Sequence, residues 1–80
     1  MTENQRTIHQ VVLISPRVMS GTPVFAGTRV PIQALLDHLQ AGDSLDVFLE
    51  DFPSVTRRQA IDLLELAGEA VLADLDASAA

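Results

Sequence analysis

The sequence predicts a mainly α-helical domain: an N-terminal β-strand or hairpin, then three helices whose last two form a helix-turn-helix. Three observations carry this. An apolar, β-branched run, Val11-Val12-Leu13-Ile14, is closed by Pro16, as at the end of a short strand. Pro16, Gly21, Pro23, Gly27 and Pro31 punctuate the next stretch, which makes it turn and hairpin rather than helix. From residue 32 onward apolar side chains recur three and four apart, the period of amphipathic helices.

Taken in order, residues 1–7 are polar and are expected to be a disordered N-terminus. Residues 8–14 read as the first strand, buried on both faces or paired with another chain. Only Pro23-Val24-Phe25-Ala26 suits a second strand before residue 31. The first helix is expected to open near Arg29, with Thr28 as its N-cap and Pro31 in its first turn. Ile32, Leu35, Leu36 and Leu39 form its stripe, and Gly42 is a natural stop. Asp43 or Ser44 caps a short second helix carrying Leu45, Phe48 and Leu49, and Phe52-Pro53 ends it. Thr56 and Gln59 form a capping box for a third helix running to about Asp76. Its apolar residues Ile61, Leu64, Gly68, Val71 and Leu75 make a stripe wider than a two-helix neighbour covers. Residues 8–76 thus form one domain, and 77–80 a tail.

At 80 residues the chain is 48% apolar but holds only three aromatic residues, Phe25, Phe48 and Phe52. Its core must come from Leu, Val, Ile and Ala. A chain this short buries only about two-thirds of its unfolded surface. Without cysteine there is no disulfide, thiol nucleophile or cysteine-based zinc site, so a homodimer is the expected staple. The net charge of −6 is uneven. Residues 1–36 set Arg6, Arg17 and Arg29 against Glu3, a net of +2, whereas residues 37–80 set ten acids against Arg57 and Arg58, a net of −8. This balance argues against a general nucleic-acid or anionic-membrane binder but allows a focused basic spot. No apolar run approaches the roughly 20 residues of a membrane span, and no signal-peptide pattern opens the chain. A cytoplasmic protein with no membrane contact is expected.

Catalysis finds little support. His9 and His38 have no nucleophile signature beside them, and Gly27-Thr28-Arg29 lacks the lysine of a phosphate loop. Asp62, Glu65 and Glu69 share a helical face that could hold a hard metal, although such a face is ordinarily the solvated one. No enzyme activity, cofactor or metal is expected. The arginines say more. Cations at a helix N-terminus oppose the dipole by roughly 0.3–1 kcal/mol, yet Arg29 and Arg57-Arg58 are each expected to open a helix. A phosphate would resolve the conflict; salt bridges to nearby acids such as Glu50 or Asp51 would too. In a helix-turn-helix the second helix presents its N-terminus to DNA. Thr56, Arg57, Arg58 and Gln59, with Arg29, are therefore the candidate DNA-binding residues.

Residues 21–31, Gly-Thr-Pro-Val-Phe-Ala-Gly-Thr-Arg-Val-Pro, resemble the signature G-x-P-V-x-x-G-T-R-[IV]-P. It marks a family of short prokaryotic proteins, formerly a domain of unknown function and now grouped with VapB-type antitoxins. The resemblance continues through Gly42-Asp43-Ser44 and Asp51-Phe52-Pro53-Ser54-Val55-Thr56, covering residues 8 to about 72. One departure is Arg57-Arg58, where family members often carry acids. The resemblance implies a homeodomain-like helix-turn-helix after an N-terminal β-hairpin. It further implies an antitoxin that neutralises a PIN-like ribonuclease toxin and binds its own promoter DNA. The alternatives are a stand-alone DNA-binding regulator and a structural dimer module.

Two assignments follow and stay open between two readings each. Glu69, Val71, Leu72, Leu75 and Asp76 suit a helix lying in a basic-rimmed apolar groove of the toxin; alternatively the same helix closes the dimer. Arg29 either ties the signature loop to acids near the end of the second helix, the reading its constrained turn favours, or projects toward phosphate or toxin. Gly21 and Gly27 are expected at positive φ.

Overall fold

The computed structural model describes the backbone of residues 8–79 and side chains from residue 10 to residue 77. The expected disordered segment 1–7 lies outside the described residues, as does the side chain of His9. The chain runs α1 (Ile8–Val11), β1 (Val12–Leu13), a 3-10 turn (Met19–Gly21), β2 (Val24–Phe25), α2 (Ile32–Gln40), α3 (Leu45–Asp51) and α4 (Arg57–Ala79). It is mainly helical, with an antiparallel two-strand hairpin ahead of the three principal helices.

The first strand is shorter than its sequence suggests. Residues 8–11 form one helical turn packed against α4, and only Val12 and Leu13 pair with Phe25 and Val24. In a strand, neighbours point to opposite faces. Here Val11 and Val12 are both buried while Leu13 and Ile14 are exposed. The change from helical to extended backbone at this junction is what lets two successive valines enter the core.

β2 sits at the centre of the N-terminal half. On one side it pairs with β1; on the other, Val24 bridges Pro31 and the Phe25 amide donates to the Val30 carbonyl at 2.9 Å. Both of its residues are fully buried. The turn between these arms is held by Thr28, whose hydroxyl donates to the Phe25 carbonyl (2.8 Å) and accepts from the Val30 amide (3.0 Å). Thr28 is therefore a turn staple and not the cap of a helix. Pro31 occupies the N-cap position of α2 without any side-chain cap, and the Ile32 amide finds the Pro23 carbonyl instead. Arg29 consequently lies in the turn, three residues ahead of α2, and does not oppose its dipole.

The other punctuation works as expected. Gly21 and Gly27 have φ of +88° and +78°. Gly42 (φ +92°) ends α2 in a Schellman arrangement, with its amide on Leu39 and the Asp43 amide on His38. Ser44 caps α3 through the Val47 amide. The core joins Val11, Val12, Phe25, Val30, Leu35, Phe48, Val55, Ala60 and Leu63. All three phenylalanines stack in series, Phe25–Phe48 at 6.1 Å and Phe48–Phe52 at 5.1 Å between ring centroids. His38 stands edge-on to Phe48, with its Nε2 2.9 Å from Asp51 Oδ2, and so joins the end of α2 to the end of α3.

Candidate interaction surfaces

The N-terminus of α4 carries four of the five candidate DNA-binding residues, and the fold already engages each of them. Gln59 Oε1 accepts from the Thr56 amide, and the Gln59 amide donates to Thr56 Oγ1, both at 3.0 Å. This is the reciprocal capping box read from the sequence. The rest of the Gln59 side chain does something its spacing could not reveal. Nε2 donates to the Ala26 carbonyl at 2.9 Å, across 33 residues of chain, and ties α4 to the signature turn. Arg57 forms an ion pair with Asp46 of α3, and Arg58 lies 3.9 Å from Asp62. Both guanidinium groups stay more than half exposed. An exposed ion pair contributes only about 0–1 kcal/mol, so Arg57 is not committed by its pair with Asp46, whereas the partner of Arg58, Asp62, is buried.

Asp62 corrects one expectation. The helical spacing puts it on a solvated face with Glu65 and Glu69, but it is 5% exposed while the other two face water. Gln59, Asp62 and Leu63 share one side of α4, and that side is turned inward. The helical wheel gives the angle between residues but not where the body stops. Asp46 is the further residue that the sequence reading passed over. Its signal was an acid in the first turn of α3, favoured by the dipole there and free to reach the next helix start. Arg29 is exposed, with no hydrogen bond or ion pair among the described residues, and no acid ties it to the second helix.

The second surface is the far half of α4. Ala60 and Leu63 are fully inside, and Ile61, Leu64 and Leu66 are half-buried, but every residue from 67 to 77 is exposed. At 1.5 Å per residue this half is about 16 Å long. Val71, Leu72 and Leu75 are 58%, 64% and 57% exposed on it, among Glu69, Asp74 and Asp76. All five candidate toxin-binding residues, Glu69, Val71, Leu72, Leu75 and Asp76, therefore stand together on a helix that leaves the body. A third exposed apolar group, Leu13, Ile14 and Met19, lies at the hairpin tip; of the expected strand, Leu13 and Ile14 are thus not buried within the single chain.

Among the described residues no group of three His, Cys, Asp or Glu is arranged to hold a metal ion. No helix among them is long and apolar enough to cross a membrane.

Residues 12–67 match a family model described as "Protein of unknown function (DUF433)". The matched stretch is the folded body and stops where α4 leaves it. An uncharacterized protein, y4eO, from Sinorhizobium fredii is 41% identical over 46 residues, which is 58% of this chain and 21% of that protein. The match thus spans about a fifth of that relative's length. No solved structure matches the chain.

Proposed function

The chain belongs to the DUF433 family, and from that premise we propose that it is a cytoplasmic antitoxin, not an enzyme, which neutralises a PIN-like ribonuclease and binds its own promoter as a homodimer. The observation that carries the reading is the far half of α4. It combines exposed Val71, Leu72 and Leu75 with three exposed acids, Glu69, Asp74 and Asp76, and no base. A ribonuclease has a basic substrate groove, so this helix is complementary to one in both charge and apolar character. The resemblance of the signature loop to VapB-type antitoxins supports the same partner.

A DNA contact fits the other end of the helix. α3, the turn at residues 52–56 and α4 follow the helix-turn-helix order, and Arg57 and Arg58 are exposed at the start of the second helix. Phosphate replaces Asp46 on Arg57 at small cost, because the existing pair is solvent-exposed. Two such contacts in a dimer reinforce each other.

The test is co-expression with the product of the reading frame adjoining that of this chain, which the proposal requires to be a PIN-like ribonuclease. Co-purification, together with loss of ribonuclease activity on a single-stranded RNA, is the expected result. Operator binding without any effect on the ribonuclease would instead support the stand-alone regulator.

A further inference from the structure

Charge is segregated along this chain in a way that its own fold does not use. Among residues 8–36 there are two bases, Arg17 and Arg29, and no acid; from residue 59 to residue 77 there are five acids and no base. Two exposed apolar groups belong to these opposite regions. Ile14, at 66% exposed, flanks Arg17 at the hairpin tip, with Leu13 and Met19 beside it. Val71, Leu72 and Leu75 accompany Glu69, Asp74 and Asp76 on α4. Each group is exposed in the single chain, so one does not cover the other. The tip is also held in shape. The Val18 amide donates to the Ser15 carbonyl, the Arg17 amide to Ser15 Oγ and the Gly21 amide to both Ser15 and Val18. Three successive residues, Met19, Ser20 and Gly21, adopt left-handed backbone.

A second copy of this chain supplies what each group lacks. The far halves of two α4 helices laid together would set six exposed acids against one another with no base between them, which disfavours helix-to-helix pairing. A hairpin tip against α4 sets an arginine among acids and apolar residues against apolar residues. We propose that the hairpin tip of each copy seats on the far half of α4 of a second copy, forming a reciprocal two-fold dimer. Resting on the antitoxin reading, the same contact covers Val71, Leu72 and Leu75 until the ribonuclease displaces it. Self-association and neutralisation then compete for one helix face.

The experiment is light scattering of the full chain from about 1 to 100 µM, with helicity followed by circular dichroism. Arg17→Glu alone and the pair Asp74→Arg with Asp76→Arg are each expected to weaken the dimer by roughly tenfold or more. An equimolar mixture of the two variants is expected to restore it. Leu72→Asp is expected to give a helical monomer. A monomeric unaltered chain, a mixture that does not recover, or a Leu72→Asp dimer of unchanged strength overturns the proposal. Titrating the PIN-like protein into the dimer is expected to break it. A ternary complex with the dimer intact overturns the competition. A ribonuclease that does not bind overturns the antitoxin reading and the competition with it, while the charge-swap mixture decides the self-contact by itself.

Discussion

Gln59→Ala is the substitution with the sharpest expected outcome, because one side chain serves two jobs. Its Oε1 accepts the Thr56 amide at 3.0 Å, and its Nε2 donates to the Ala26 carbonyl at 2.9 Å. Each hydrogen bond contributes about 1 kcal/mol net, so losing both costs about 2 kcal/mol. For a domain this small, 1 kcal/mol moves Tm by about 4–8 °C, and the expected drop is about 8–16 °C. Thr56→Ala is the internal comparison. It removes the acceptor of the Gln59 amide and a longer hydroxyl contact to Gln59 Oε1 (3.4 Å), together a cap contribution of about 1 kcal/mol. Gln59→Glu keeps the acceptor and loses the donor to Ala26, so its cost falls near that of Thr56→Ala or above it. Thermal and urea unfolding followed by circular dichroism measure all three. A Gln59→Ala variant within about 0.5 kcal/mol of the unaltered protein, the range of ordinary surface changes, would refute the clamp. So would one no less stable than Thr56→Ala. The result also separates fold from function at this position: a role in DNA contact alone would lower operator affinity and leave Tm in place.

Other substitutions test the remaining features. Gly21→Ala and Gly27→Ala are each expected to cost about 1 kcal/mol or more in urea unfolding; open space surrounds both positions, so the cost is that of a positive φ alone. Phe48→Ala empties a fully buried position that touches Phe25, His38 and Phe52; a loss of about 3–5 kcal/mol is expected, enough to leave little folded protein by circular dichroism. The double change of Arg57 and Arg58 to Ala is expected to flatten the salt dependence of operator binding by about one slope unit per lost phosphate contact, and its stability cost is expected to come mainly from Arg58, whose partner Asp62 is buried; an unchanged slope assigns both arginines to internal pairing. Removing residues 71–80 is expected to leave a folded body, because among the described residues no buried side chain lies beyond Leu63, while ribonuclease inhibition is lost; retained inhibition moves the toxin surface elsewhere.

Where a single residue type carries a backbone rule, the sequence was legible. Gly21, Gly27 and Gly42 at positive φ, Ser44 as a cap, the Thr56–Gln59 box and the stop at Phe52-Pro53 all follow from local sterics and orphaned amides. What was illegible depends on the third dimension. Thr28 is as good a cap as a turn staple by composition, and the choice was made by β2, which draws Val30 into pairing and delays α2 to Ile32. Residues 8–14 satisfy strand propensity, yet their first turn is helical and packs against α4. Asp62 is buried on the side of α4 that also carries Ala60 and Leu63, and which side meets the body is a fact that no spacing within the helix contains. The candidate residues of α4 beyond residue 67 were found by periodicity that continued past the end of the body. Their openness is visible only once the body has an edge.

That edge has a consequence for local stability. A free helix of a dozen residues is marginal in water, mainly because its first turn is costly to form. The exposed half of α4 does not meet this cost, since the packed turns around Ala60 and Leu63 act as a standing nucleus from which it propagates residue by residue. Its alanines at 67, 70, 73 and 77 favour that growth. Unwinding therefore proceeds inward from the far end in small steps and does not require the body to open. Amide hydrogen exchange should grade along the helix, with protection falling from Leu63 toward Asp76 and no shared rate. A protease would find cleavable chain here at a frequency set by fraying, well before global unfolding exposes any of the core.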